Sequence, residues 1–338
     1  MRVGQDIYMI EIFSTGKGAQ FPIIMGNITV KWDRNYSAGT LQFKVVKDSY
    51  VSYNEGDTVI FSINGQTYFK GYVFSKKRDK NQVIDTLCYD SLRYLVVNSD
   101  TYQYGKMSMS SLLKKICADR LLEVGDIEET GYKIPKKIEK NKSYMSMIKY
   151  ADEVTLSQTG NILTLFDDKG KVCLKSANSM FVDYPITYDN AVDFDYQTSI
   201  DDGTYNRVVV YLVDDDKRVL KKVVKQNASS IKRWGVLEYT VTTNNDEDID
   251  KKASQLLEIF NRVYRSLTIK NVTGNASVRA GSLVPVRFMA IGDINISSLM
   301  IVDSVEHRFE DGYHFMDLKV FNKDVMPVGK GDGMIQSL

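Results

Sequence analysis

Few residues in this chain have the type and spacing that chemistry needs. Its two histidines, His307 and His314, lie seven apart on opposite arms of an expected hairpin around Asp311-Gly312. Such a turn would bring them together, but a metal pair needs a third ligand, and no nearby spacing supplies one. The expectation is two polar cross-strand residues on an exposed face. Asp214-Asp215-Asp216, followed by Lys217-Arg218, reads as a solvated hairpin turn rather than a cation site, and Asp201-Asp202-Gly203 reads the same way. Glycosidase chemistry requires two carboxylates fixed in a cleft, and nothing marks a pair among the 43 acids. No Gly-x-Gly-x-x-Gly, Walker loop, His-Glu-x-x-His or Gly-x-Ser-x-Gly occurs. Cys88, Cys117 and Cys173 are odd in number and lack CxxC spacing, which points to free thiols in a reducing cytoplasm. No catalytic, cofactor-binding or metal residue is assigned. Basic runs stand at Lys76-Lys77-Arg78, at Lys136-Lys137 with Lys140 and Lys142, and at Lys221-Lys222 with Lys225. Each lies near a turn or strand edge, where lysine discourages edge pairing, and nearby acids favour a solvated face over nucleic-acid contact.

The whole composition agrees. In 338 residues, 44 Lys and Arg face 43 Asp and Glu, a formal net charge of +1 that argues against bulk nucleic acid or anionic membrane as the main partner. Charged residues at 26% and hydrophobics at 43% are ordinary globular values. No apolar run reaches the ~18 residues of a membrane span, and the opening Met1-Arg2-Val3-Gly4-Gln5-Asp6 is not followed by a signal-peptide core. With 21 Tyr against 5 Pro, the chain leans to β structure.

Periodicity places the elements. In the first hundred residues, alternation predicts strands over 7–13, 28–32, 41–46, 59–63, 67–73 and 82–88, with Asn64-Gly65 supplying a type I′ hairpin turn. The middle turns helical. A short helix is expected over 90–95, one over 108–122 with Ser108 as N-cap and a stripe of Met109, Leu112, Leu113, Ile116 and Ala118, and another over 143–158. A hairpin over 162–174 turns at Asp167-Asp168-Lys169-Gly170. Strands return over 192–199, 207–213, 219–224, 236–241, 267–272, 283–288, 299–308 and 313–321. They are interrupted by a helix carrying Ile249, Ala253, Leu256, Leu257, Phe260 and Tyr264 on one face, with Asp246, Glu247 and Asp248 at its start. The division is a β domain over 1–100, an α+β insertion over 101–180, a second β domain over 181–325 with an amphipathic helix at 246–264, and a tail over 326–338.

The two β regions echo each other. Thr40-Leu41-Gln42-Phe43-Lys44 matches Ser266-Leu267-Thr268-Ile269-Lys270. Gly56-Asp57-Thr58-Val59-Ile60-Phe61 matches Gly281-Ser282-Leu283-Val284-Pro285-Val286. The hairpin across Lys80-Asn81 matches the one across Asp311-Gly312. Three features in one order point to duplication, and a cyclic trimer of such chains would present six similar units to a sixfold partner.

The chain resembles the contractile-tail hub family of bacteriophages and phage-like particles, in particular its PBSX type (XkdQ/YqbQ-like), found also in tail-derived bacteriocins. The resemblance spans essentially the whole chain. It rests on Phe69-Lys70-Gly71-Tyr72-Val73, on Leu87-Cys88-Tyr89-Asp90-Ser91-Leu92-Arg93-Tyr94-Leu95, on Asn206-Arg207-Val208-Val209-Val210-Tyr211, on Ala253 to Phe260 leading through Gly274 to Ala280-Gly281, and on Val305-Glu306-His307 to His314-Phe315-Met316-Asp317-Leu318. These are packing and turn patterns without catalytic signatures. The resemblance implies a fold that is mainly β, two tube-type β-barrel domains flanking the small α+β domain. It further implies a homotrimeric, non-enzymatic baseplate hub, with no cofactor, that adapts a trimeric tail spike to the hexameric tail tube protein. A LysM-type baseplate protein and other baseplate subunits would be neighbours. The location would be the baseplate of a virion or phage-tail-like particle assembled in the bacterial host cytoplasm. A baseplate-associated cell-wall hydrolase and a peripheral receptor-binding β module are the rival readings.

Overall fold

A computed structural model describes residues 6–201, 203–214, 216–243, 248–291 and 294–322. The tail over 326–338 and the acids Asp246 and Glu247 lie outside them.

Alternation builds the first region as expected. Its strands are β1 (Tyr8–Ser14), β2 (Gly18–Gln20), β3 (Ile28–Asp33), β4 (Thr40–Val46), β5 (Thr58–Ile63), β6 (Gln66–Arg78) and β7 (Val83–Tyr89). Every second residue turns inward: Ile28, Val30 and Trp32 of β3, and Leu41, Phe43 and Val45 of β4, are buried. Asn64 and Gly65 both take positive φ, 51° and 76°, so β5 and β6 are joined by the turn their sequence encodes.

The middle holds α1 (Arg93–Val97), β8 (Ser99–Tyr104), β9 (Met107–Ser108), α2 (Met109–Asp119), β10 (Val124–Ile127), β11 (Lys133–Ile134), β12 (Lys137–Ser143), α3 (Tyr144–Thr159), β13 (Leu163–Asp168) and β14 (Lys171–Ser176). Ser108 caps α2 by accepting from the Ser111 N–H. The buried stripe of α2 takes Cys117 in place of Ala118, which is exposed. The β13–β14 turn is Lys169-Gly170 alone, so Asp167 and Asp168 belong to the strand. This region has its own apolar core, including Leu95, Leu112, Leu113, Ile116, Tyr144, Met147 and Ile148.

The remaining elements are β15 (Ile186–Thr187), β16 (Asp193–Ser199), β17 (Arg207–Val213), β18 (Val219–Gln226), α4 (Ala228–Trp234), β19 (Glu238–Thr243), α5 (Ile249–Phe260), β20 (Tyr264–Thr273), β21 (Leu283–Ile291), β22 (Ile294–Glu310) and β23 (Tyr313–Asn322). Two expectations are corrected here. The helix ends at Phe260 and Tyr264 opens β20. The strands over 207–241 do not extend the second β region but form a separate sheet, β18-β17-β19. The reason lies in Val208-Val209-Val210, all buried: a continuous apolar run suits a central strand covered on both faces. Val208 and Val210 share a small core with Ile249, Ala253 and Phe260 of α5.

Topology decides the question of duplication. In the first region the pairing order is β3-β4-β7-β6-β5, and in the second β16-β20-β23-β22-β21, antiparallel throughout. The correspondence reaches single residues. The β6·β7 ladder slips between Val73 and Ser75, and the β22·β23 ladder between Val302 and Ser304, so each long strand carries a bulge at the same place. Gly56 donates its N–H to the Val73 carbonyl at 2.7 Å, and Gly281 to the Val302 carbonyl at 2.8 Å. The return bonds, Val73 N–H to the Asp57 carbonyl and Val302 N–H to the Ser282 carbonyl, are both 2.9 Å. The two glycines have φ of 91° and 90°, a left-handed conformation that disfavours a side chain. The stretches that echo in sequence therefore occupy equivalent places in two units.

The units are fused. Residues 304–309 of β22 pair antiparallel with β3, and the described strands of both units run on as one thirteen-stranded sheet around a single apolar core. The chain is mainly β with an α+β insertion.

Candidate functional site, the joint between the two β units

The joint starts from the β22·β3 ladder. Val305 lies opposite Trp32, Glu306 opposite Lys31, His307 opposite Val30 and Phe309 opposite Ile28. Beneath this ladder is a nest of rings contributed by both units. His307 packs edge-on against Trp32 at 5.4 Å and Tyr68 at 5.6 Å, and Phe309 against Phe61 at 4.9 Å and Tyr8 at 5.1 Å. Rings at these separations add directional attraction to their burial.

The histidines are thus not on an exposed face. His307 is fully buried, and its Nδ1 lies 2.8 Å from Nε2 of His314. One ring donates and the other accepts, which needs the accepting ring neutral. Burial holds His307 well below the ordinary imidazole range, and burial likewise lowers His314 to about 4. The sequence held a signal for His307, which shares one strand face with Val305 and Phe309. Among the described residues no group of three or more His, Cys, Asp or Glu is arranged to hold a metal.

Polar side chains lock the ends of the joint. Arg34, in the turn after β3, donates its backbone N–H to the carbonyl of the bulge residue Asp303 at 2.8 Å, and its guanidinium Nε lies 3.9 Å from the Asp303 carboxylate. The same guanidinium donates to the Leu163 carbonyl of the insertion at 3.3 Å. Burial raises Asp303 above the usual carboxylate range, against the pull of Arg34.

Asp90 follows β7 and accepts from the Gly39 N–H at 2.8 Å and the Leu92 N–H at 3.1 Å. The next residue, Ser91, donates its N–H and hydroxyl to the Asp167 carboxylate of β13. Arg279, from the second unit, donates to the Asp167 carbonyl at 2.6 Å and lies between the rings of Trp32 and Phe166, at 5.0 and 4.2 Å. Burial, and then the neighbouring Asp167, pushes Asp90 well above its ordinary range. Four segments of the chain therefore converge on Asp90, Asp167 and Arg279. On α3, Asp152 is raised by burial to about 6 against the lowering effect of Tyr36, while burial takes its neighbour Glu153 to about 7.

The sequence reading missed these residues. Asp167, expected in the hairpin turn, is instead buried near the end of β13; Asp90-Ser91 carries a signal, two polar residues where a strand meets a helix. Asp214 behaves as expected, accepting from the Arg218 N–H in an exposed turn and pairing with its guanidinium at 3.2 Å. Lys225 pairs with Asp250 at 2.7 Å. All three cysteines are buried free thiols. The arrangement is one of joining: it holds two like units and an insertion in fixed relation.

A family model described as YQBQ-like matches residues 28–321. The phage-like element PBSX protein XkdQ of Bacillus subtilis (strain 168) is 28% identical over 330 residues, covering 95% of this chain and 99% of that protein. Among solved structures, the 43 kDa tail protein of prophage MuSo2 from Shewanella oneidensis matches with a TM-score of 0.69 at 14% identity, over 94% of this chain and 98% of that one. A tail protein from Neisseria meningitidis MC58 gives 0.70 at 13% identity, over 93% and 96%. The fold is that of phage tail proteins.

Proposed function

Given that the chain belongs to the YQBQ-like family, we propose that it is the structural hub of a contractile-tail baseplate and turns no substrate over. Three copies would form a ring whose six β units, each a tube-type barrel domain, mimic a sixfold collar. One end would meet the hexameric tail tube and the other the trimeric spike. The insertion would face outward, toward baseplate neighbours such as a LysM-type protein. The units proposed are 1–100, 101–180 and 181–325, the last carrying the β18-β17-β19 sheet as an excursion. The location would be the baseplate of a virion or phage-tail-like particle, assembled in the host cytoplasm.

One observation carries this reading. Two units of identical strand order stand side by side in one sheet, joined by a ladder and a buried polar lock. A chain holding two like units in fixed relation is suited to convert threefold into sixfold symmetry. Stable subunit interfaces of this kind bury ~2,000 Å² or more, so the trimer should persist at micromolar concentration. Sedimentation equilibrium of the full chain should give a mass three times that of the monomer. Monomer alone at every micromolar concentration tested would sink the proposal, and release of soluble fragments from purified cell walls would favour the hydrolase instead.

A further inference from the structure

The joint inside one chain is a template for a joint between chains. Along the sheet, β22 of the second unit pairs with β3 of the first. The equivalents of these strands are β6 and β16, as the shared order and the shared bulge establish. Both equivalents have an open side: among the described residues, β6 from Ser75 on pairs only with β7, and β16 only with β20. We propose that residues 75–78 of β6 in one copy pair antiparallel with β16 of a second copy, in the register that β22 and β3 adopt. This rests on the hub reading above and names the surface by which that ring closes.

The register can be transposed residue by residue. Ser304 follows the bulge in β22, as Ser75 does in β6. Val73 pairs with Cys88, which pairs with Leu41, while Val302 pairs with Val320, which pairs with Leu267. Thr29 faces Gln42 just as Asp195 faces Thr268. The pair Val305 and Trp32 then becomes Lys76 and Thr198, Glu306 and Lys31 becomes Lys77 and Gln197, and His307 and Val30 becomes Arg78 and Tyr196.

Charge agrees with this pairing. The β6 side carries Lys76, which pairs with Glu55 at 3.5 Å, Lys77, which faces Asp85 of β7, and Arg78, and the β16 side carries Asp193 and Asp195 with no cation between Asp193 and Ser199. In this register residues 75–78 face Tyr196, Gln197, Thr198 and Ser199, and the acid Asp195 lies one step past the paired stretch. Lys77 in the proposed register has Asp195 as its diagonal neighbour on the same face, within reach of a long side chain.

The test is a disulfide. Lys77→Cys with Gln197→Cys places thiols on directly opposed positions, where antiparallel Cα atoms lie ~4.5–5.5 Å apart, within disulfide reach. The native thiols are buried. Mild oxidation of the full chain should give covalent dimer and trimer on a non-reducing gel, while Lys77→Cys with Asp193→Cys, four residues out of register, should give neither. Separately, Lys77→Glu should weaken trimer formation about tenfold by setting like charges together, and adding Asp195→Lys should restore it. A trimer by sedimentation that does not cross-link at 77 and 197, or that ignores Lys77→Glu, overturns the proposed seam and leaves the hub reading standing. Monomer alone overturns both.

Discussion

Glu153 shows what burial does to a single side chain here. One carboxylate oxygen is buried without a hydrogen-bond partner, and its pKa is raised to about 7. The sign follows from proton counting. Between about pH 4.5 and 7 the native chain holds a proton that the unfolded chain has lost, so stability falls as pH rises through that window. Glu153→Gln removes the titration. It should leave stability nearly unchanged at pH 4.5 and raise it on the order of 2 kcal/mol at pH 8. Urea unfolding of both proteins at the two pH values measures this, and an equal offset at both would refute it. His307 and His314 act in the opposite sense. Their lowered affinities mean that stability drops as pH falls below the ordinary imidazole value toward 4, because only the unfolded chain then takes up protons.

At the scale of elements, the paired turns before β5 and β21 offer an internal control. Gly56 and Gly281 share φ near 90° and the same hydrogen bonds, but not the same surroundings. A methyl group on Gly56 would meet nothing within 4 Å, whereas on Gly281 it would lie 2.5 Å from the methyl carbon of Thr164 in the insertion. Gly56→Ala should therefore cost about 1–2 kcal/mol, from backbone strain alone. Gly281→Ala should cost roughly 1–3 kcal/mol more, since buried Thr164 has to give way. Denaturant midpoints of the two variants decide it, and equal losses would mean that Thr164 does not bear on the second unit. The same contact explains why the insertion is part of the joint. It meets Gly281 through Thr164, Arg279 through Asp167 and Arg34 through the Leu163 carbonyl.

Across the whole molecule, the two units share one apolar core. Cutting the chain between them would bare Val30 and Trp32 on one side and Val305 and Phe309 on the other, all buried now. A fragment of residues 1–100 should therefore fail to fold by itself, giving a collapsed amide spectrum by NMR and no cooperative urea transition. A well-dispersed spectrum would show that the first unit is self-sufficient and that the joint is a later contact between finished domains. The same fusion gives the ring its proposed stiffness, because a hinge between the units would have to break a ladder, a ring cluster and a buried ion pair together.

Local chemistry makes much of this legible in the amino-acid sequence. Asn64-Gly65 specified its turn, Ser108 its helix cap, and the alternation of Leu41, Phe43 and Val45 its inward face, since each depends on neighbours within a few residues. The duplication was readable too, because Gly56 and Gly281 must keep one conformation and their strands one pattern. Residues joined across long separations were not readable. Nothing local tells that Asp90, Asp167 and Arg279 meet, that His307 packs against Trp32 of the other unit, or that Val208-Val209-Val210 centres a sheet of its own. Those depend on which strand lies beside which, and pairing over such distances is selected by the closing of a common core rather than by the propensity of any segment.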